Sequence, residues 1–571
     1  MFLKKYLVEI IFLFALLFWG QKSMAQDTIL EEGTQVIIEN TESLEYIEKS
    51  GKSLRKLIGN VILRQSDVKF TCDTALLDET QNNFEAFGKV HIVQADSINI
   101  YAKQLKYTHA KGKADLYGDV RLTDMVTNIT SDTLEYWLPQ RKAILYKGVK
   151  ITDTQTQITA DTLKYFTREK NAFLYGNAFL KSPDYTLKAP YMQYNYLNGA
   201  GSFDKGGELL QGDTKLSSIK GNYQPDDGLM YFEKEVVVNN PDYDLFTHQL
   251  KYNTQTGRAD FSGETQIVND STTVFCQKGW YLSEEKTYSV WQNAKIVQQN
   301  QQIIADSLFF ENEKQIGKAF GNVYYADTTQ QMTLRCAYLQ LLNDGKDILA
   351  TEQVLLQKET APQDTLHLVA DTLVTATLDS ADMREIKAFH HVKIYKQDMQ
   401  AICDSLIYNE AEEEFKFLKK PIVWLDSTQL EADTILLKVL DNSPHHFNLI
   451  KRATVMSKSG GNMYDQLKGF YIDGFFEADS LKRIEVKGQA ESVFFAKDDQ
   501  NAYLGVNQAQ AQSMKILLQN NKVDKVYFYE EPKAGFFPIS QINPSEFLLP
   551  GFNWKESLRP TSLAGILRGE E

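Results

Sequence analysis

From Val149 the chain alternates: Val149 and Ile151 are apolar, Lys150 and Thr152 polar. That two-residue period belongs to a strand with one buried face. The polar stretch Asp153 to Thr156 predicts a turn. Ile158 and Ala160 resume the alternation, but Leu163 and Tyr165 continue it with opposite parity, so a corner or bulge is expected at Asp161-Thr162. A second polar turn, Thr167 to Asn171, precedes Ala172 to Tyr175 and then Gly176. β-branched and aromatic residues fill the strand positions, and no 3.6-residue period competes. The unit is all-β.

The unit recurs. Tyr107, Tyr136, Tyr165, Tyr194, Tyr223, Tyr252, Tyr281 and Phe310 stand 29 residues apart. Ile151, Leu180, Leu209, Val238, Ile267 and Ile296 keep the same step. A third column opens a tetrapeptide, as in Ser131-Asp-Thr-Leu134, Ala160-Asp-Thr-Leu163, Ala305-Asp-Ser-Leu308, Ala370-Asp-Thr-Leu373, Cys403-Asp-Ser-Leu406 and Ala432-Asp-Thr-Ile435. After Ala305 the step grows to 31, 34 and 33 before returning to 29, and the extra residues are expected in surface loops. A unit this short cannot bury its own apolar face, so copies must stack into an array, here from about Val61 to about Leu440.

With 571 residues, 43% of them hydrophobic, the chain has material for a long core, and a mean hydropathy of -0.37 argues against a polytopic membrane protein. Residues 1–25 read as a secretory signal: Lys4 and Lys5, an apolar run from Ile10 to Trp19, then Ser23-Met24-Ala25. The alternative, an uncleaved anchor, has a run well short of the ~20 residues a spanning helix needs. No cysteine lies near the cut, which argues against a lipoprotein. The formal charge of -14 and pI of about 5.3 argue against a nucleic-acid binder and against an electrostatic grip on anionic membranes. Cys72, Cys276, Cys336 and Cys403 share one repeat slot, too far apart along a stack to pair, and are expected as small packing residues without disulfides.

The repeated Asp reads as structural, capping its own backbone, because other copies replace it (Ala189-Pro-Tyr191, Thr247-His-Gln-Leu250). The aromatic column reads as packing, with a groove-lining stripe as its functional alternative. His390-His391 and His445-His446 would point to opposite faces of a strand and cannot converge on a metal. No phosphate loop, nucleophile elbow or zinc-protease helix is present, so no catalytic residue, metal or cofactor is assigned.

The strands Gly59-Asn-Val-Ile-Leu63, Gly88-Lys-Val-His-Ile92, Gly118-Asp-Val-Arg-Leu122 and Gly321-Asn-Val-Tyr-Tyr325, each with its downstream corner, resemble the OstA-like, LptA-type lipopolysaccharide-transport proteins. The segment Pro550-Gly-Phe-Asn-Trp554 with Arg559-Pro560 is similar to the tail of large Bacteroidota-type members. The resemblance implies an elongated, V-shaped (taco-like) β-jellyroll holding acyl chains. It also implies a periplasmic location bridging inner and outer membranes, and partnership with lipopolysaccharide and with other transport proteins by end-to-end pairing of sheet edges. The chain has more than twice the repeats of a single bridging subunit, and too few residues after the array for a large outer-membrane barrel. The inward candidates for an acyl-chain groove are Val61, Leu63, Val90, Ile92, Val120, Leu122, Val149, Ile151, Leu180, Val238, Ile267, Ile296 and Val323.

Three divisions are expected: the signal at 1–25, the array at 26–445, and a β-rich region at 446–571. In the last, Leu481 to Val486, Ala490 to Phe495, Met514 to Leu518 and Val523 to Phe528 read as strands, with Asn520-Asn521 as a hairpin turn. After Pro532 an extended, proline-containing tail docks on them. Two other functions fit a β array. One is a polysaccharide-processing enzyme, with Arg335, Asp344, Lys346 and Asp347 as its place to look; the other is a passive spacer or adhesin with a filled core.

Overall fold

A computed structural model describes residues 35–567 apart from positions 50, 96, 126, 153–155, 270, 312, 313, 315, 344, 363, 379–382, 441, 442, 478, 479, 499, 520 and 521. The expected signal, the core of the 153–156 turn, Asp344 and the Asn520-Asn521 turn lie outside the described residues. The chain divides into two compact units, one ending at Asp227 and one beginning at Gly228.

Most of each unit is an antiparallel meander in which a strand pairs with the one before it and the one after it; within 186–224 and 399–457 shorter strands divide the two half-sheets and pair past one another. In the first unit Thr127–Trp137, Lys142–Thr152, Gln157–Phe166 and Asn171–Lys181 follow in this way. In the second, Arg258–Val268, Thr272–Leu282, Thr287–Gln298 and Gln301–Glu311 do the same.

The register of every such pair breaks at mid-strand. Ala160 faces Val149, but Thr162 faces Tyr146, so one strand spends an extra residue there. The extra residue belongs to a pair with left-handed backbone, Lys147-Gly148 (φ 63° and 59°). The same pair returns as Gly59-Asn60, Gly88-Lys89, Gly118-Asp119 and Gly176-Asn177, then as Gln292-Asn293, Gly321-Asn322, His390-His391 and Lys451-Arg452 in the second unit. A bulge bends and twists its strand. A column of bulges therefore folds each meander lengthwise into two half-sheets whose inner faces meet. The expected corner exists, and its extra residue sits opposite Asp161, on the neighbouring strand.

The repeated Asp has a different role from the expected self-capping. Asp161 accepts from Asn177 Nδ2 at 2.8 Å and Asp306 from Asn322 Nδ2 at 2.9 Å, so each carboxylate lies over the corner of the next strand. In later copies the corner supplies cations or histidines: Asp404 meets Lys419 at 2.6 Å and Asp371 meets His391 at 2.8 Å. The Lys419 ammonium, with the Ser405 hydroxyl, holds the Asp404 carboxyl well below the ordinary range. His390 and His391 thus stand together in an exposed corner (φ 62° and 53°), where the sequence reading had them on opposite faces of a strand. Each is engaged by a different Asp.

The larger steps after Ala305 lengthen strands as well as turns. Asp347–Ala361 and Asp364–Leu378 each run 15 residues and stay paired nearly to their ends. An insertion at a hairpin end can keep pairing as two added ladder positions, which a loop cannot. Further on, Ser443–Gly460, Met463–Glu477, Ser480–Lys497 and Tyr503–Gln519 continue the meander with the same corners. The outermost strands there are Lys522–Tyr529 and Lys533–Pro538, both paired to Tyr503–Gln519. No helix among the described residues is long and apolar enough to cross a membrane.

The four cysteines occupy one slot beside the corner, facing Val61, Thr265, Val323 and Val392. Burial pushes the thiol of Cys72 up to about 11 and those of Cys276, Cys336 and Cys403 up to about 12. A thiolate is the reactive form. At pH 8 all four should therefore react with a thiol reagent at least tenfold more slowly in the native protein than in urea, measured by absorbance of the released chromophore.

The corner gives a second expectation. Space is open around Gly148, whereas the Asp161 carboxylate sits where a Cβ on Gly176 would go. Gly148→Ala should cost only the left-handed backbone penalty, about 1–2 kcal/mol, and Gly176→Ala roughly 1–3 kcal/mol beyond that from crowding. Adding Asp161→Ala should return the crowding share alone, as read from urea unfolding of the four variants.

Candidate functional site

The inner faces of the half-sheets are the place to look for a guest, because strand alternation sends the apolar residues there. In the first unit the two inner faces touch. The Phe70 ring lies 5.1 Å from Phe84 and 5.4 Å from Tyr107, which project from the opposite half-sheet. Beyond them the free lips of the folded sheet are latched. The Tyr107 hydroxyl reaches Gln65 Oε1 across the mouth, Tyr136 donates to Gln94 Oε1 at 2.6 Å, and Tyr165 donates to Asp124 Oδ2 at 2.6 Å. Gln65, Gln94 and Asp124 are the last inward residues of their strands, spaced like the repeat.

These latches are buried and electrostatically settled. Tyr107, Tyr136 and Tyr165 are at most 1% exposed. Burial pushes the Tyr107 phenol up to about 12, and the other two higher, so all three remain donors. Burial works against the Asp124 charge, but hydrogen bonds from Lys170, at 2.7 Å, Tyr165 and Thr127 outweigh it and hold the carboxyl below its ordinary range. Each such bond contributes about 0.5–1.5 kcal/mol, more where charged.

Further along, the ladder leaves the core. Tyr194 and Tyr223 in the first unit, and Tyr252, Tyr281 and Phe310 in the second, are half-buried at the same repeat position. Aromatic pairs replace the polar latch on their lips: Tyr185 with Tyr223 at 6.3 Å, and Tyr243 with Tyr281 at 6.0 Å. Burial, with the neighbouring Tyr281 and Tyr252, pushes the Tyr243 phenol up to about 12. Inward residues loosen alongside, with Leu187 and Ile267 half-buried. The second unit then closes again. Tyr325 is fully buried beside Asp327, which accepts from Gln301 Nε2 at 3.1 Å, and Lys358 pairs with Glu410 across the lips at 3.2 Å.

Within its own unit, each of the thirteen groove candidates lies on the half-sheet that follows the corner pair of a bulged strand. Val61, Leu63, Val90, Ile92, Val120, Leu122, Val149, Ile151 and Leu180 in the first unit, and Val238, Ile296 and Val323 in the second, are at most 7% exposed. Ile267 alone among them is half-buried. The structure therefore places twelve in buried interior and one, Ile267, at a half-buried position between Leu245 and Val274. Sequence reasoning missed the latch partners. A signal was present, since Gln65, Gln94 and Asp124 are polar residues recurring at inward parity, where an apolar residue is expected.

Arg335, Lys346 and Asp347 do not converge on a cleft. Arg335 is exposed, and Asp347 accepts from the Thr377 backbone N–H at 2.8 Å. No group of three or more metal-ligating side chains occurs among the described residues.

No curated protein matches the chain in sequence. Among solved structures it is similar to LptH of Pseudomonas aeruginosa, described as the LptA homologous periplasmic component of the conserved lipopolysaccharide transport device. That likeness has 12% identity and a TM-score of 0.17, covering 19% of this chain and 76% of that one. The family model described as OstA-like protein matches residues 33–190 and 186–248. That stretch holds the first unit's glycine corners, the latches and the first half-exposed tyrosines, and over it this chain is similar to the OstA-like family.

Proposed function

We propose that the chain is a periplasmic, non-catalytic carrier that shields the acyl chains of lipopolysaccharide between its folded half-sheets during transport to the outer membrane. The observation that carries this reading is the tyrosine ladder, buried at Tyr107, Tyr136 and Tyr165 and half-exposed at Tyr194, Tyr223, Tyr252 and Tyr281. Where the ladder is buried, the interior is filled by the protein's own side chains. Where it is half-exposed, apolar inner walls and amphipathic rings meet water, the surface on which an acyl chain displaces water at about 0.8 kcal/mol per methylene. No cationic clamp is needed for such a guest, which suits a chain of formal charge -14. The likeness of residues 33–248 to the OstA-like family supports the same substrate class.

Passage of lipid between proteins requires that arrays abut, and both terminal edges offer strands for pairing. Ile37–Asn40 and Ser43–Lys49 flank Lys52–Gln65 at one end. At the other, Lys522–Tyr529 and Lys533–Pro538 carry exposed Tyr527, Tyr529, Phe536 and Phe537. Unpaired edge backbone with exposed aromatics is the surface a partner's strand adds to. We assign these edges to other lipopolysaccharide-transport proteins.

A photo-crosslinking residue at Tyr252, Ile267 or Tyr281 should capture lipopolysaccharide in cells, with at least tenfold less adduct at Tyr136 and Ile151. Full-length protein with no adduct at any of the five positions would overturn the carrier reading. Equal adducts at all five would move the site without removing it.

A further inference from the structure

The outer face of the second unit carries a row that the interior reading leaves unused. Gln400 faces Trp424, Trp424 faces Gln429, Gln429 faces Met456, Met456 faces Gln466 and Gln466 faces Val493, one straight line across six strands. Parity places this row on the side away from the interior: the inward neighbours are Ala401, Val423 and Leu430. Yet all six are buried, none more than 3% exposed. The equivalent outer row of the first unit is Asn99, Thr123, Asn128 and Thr152, polar and partly or fully exposed.

What covers the row is the segment after Pro538, running crosswise to the strands. Two glutamines of the row read its backbone, and a third holds one of its side chains. Gln466 Nε2 donates to the Phe547 carbonyl at 3.0 Å while its Oε1 accepts from the Leu549 N–H at 2.8 Å. Gln429 repeats this with the Asn553 carbonyl at 3.0 Å and the Lys555 N–H at 2.9 Å. Gln400 Oε1 accepts from Arg559 Nε at 2.7 Å. Between these points Tyr464 packs against Phe552 and Trp554, at 5.0 and 5.4 Å, and Lys555 pairs with Glu431 at 2.7 Å. Leu549 completes an apolar cluster with Val493, Phe495 and Val506. A primary amide offers a donor and an acceptor side by side, so a buried glutamine can stand in for one rung of a β ladder.

We propose that this outer face is a peptide-docking site, and that residues 547–566 are its own intramolecular ligand, releasable as a unit. The ligand class is an extended peptide that presents alternate backbone groups to Gln429 and Gln466, aromatic rings to Tyr464 and cations to Glu431, Gln400 and the Asp426 carbonyl. Release is built into the bonding. The segment joins no β ladder; its own backbone bonds are short-range turns (Phe547 to Pro544, Phe552 to Leu549, Leu558 to Lys555). Segments held this way open at lower free energy than the sheet beneath them. The Phe537 ring lies 5.3 Å from Phe547 and links the segment to the terminal strand Lys533–Pro538, so release bares an apolar face and loosens that edge together.

The test uses the full chain with a specific protease site inserted between Gln541 and Ser545, cut after folding. The cut segment should stay bound and then exchange with a fluorescent synthetic peptide of residues 543–567. Hydrogen exchange of Lys533–Pro538 and of the strands under the row should rise at least tenfold once it leaves. Lys555→Glu, which leaves the sheet untouched, should weaken peptide binding at least tenfold, and Gln429→Ala with Gln466→Ala more. A cut segment that departs without rebinding, or that never exchanges under native conditions, overturns the proposal. So does peptide binding that is indifferent to Lys555→Glu.

Discussion

The mid-strand bulge is the constraint on which everything else rests. A two-residue left-handed kink, repeated on alternate strands, turns what would be a flat meander into a sheet folded along its length. Flat two-faced sheets of this extent would expose an apolar face and long unpaired edges. Folding brings the two apolar half-faces together, so the hydrophobic term stabilises the bend and the bend makes burial available. Gly59, Gly88, Gly118, Gly176 and Gly321 take the kink without a Cβ, and an Asp from the adjoining strand fills part of the space above several of them. Where the kink is Lys-Lys, His-His or Lys-Arg, the backbone strain is met by ion pairing to that same Asp column. The acidic column and the strained corner are two halves of one device.

Because the left-handed corner backbone recurs along each meander, variation in the interior is left to the lips. Gln65, Gln94 and Asp124 meet tyrosines across the mouth and close it with short polar bonds in a dry setting. Such bonds are hard to leave, since each opened partner becomes a desolvated orphan. Tyr–Tyr contacts at Tyr185/Tyr223 and Tyr243/Tyr281 carry no such penalty, and the surrounding rungs sit partly wet. One strand pattern thus yields tight and yielding stretches according to one residue near the lip.

How much of this was legible depended on range. The 29-residue columns, the parity flip at Asp161-Thr162 and the shared cysteine slot are local patterns, and they specify an all-β array. Whether Tyr107 and Tyr252 differ is set by residues some forty positions away on the facing lip, and only the meander's geometry reveals that Gln65 is Tyr107's neighbour. The outer row was harder still. Gln400, Gln429 and Gln466 look like solvated strand positions until the segment 547–566 is laid over them, more than 80 residues later in the chain. His390 and His391 misled because alternation assumes extended backbone, and they sit where that assumption fails.

The crosswise segment also acts as a gauge. An array of interchangeable rungs can grow or shrink by duplication, since each copy sees only its immediate neighbours. Between Gln400 and Gln466 that freedom is lost. Phe547/Leu549, Asn553/Lys555 and Arg559 must fall opposite their glutamines in order, so inserting one rung would throw every later contact out of phase. This stretch of the second unit is held to a fixed count by a ruler it carries itself.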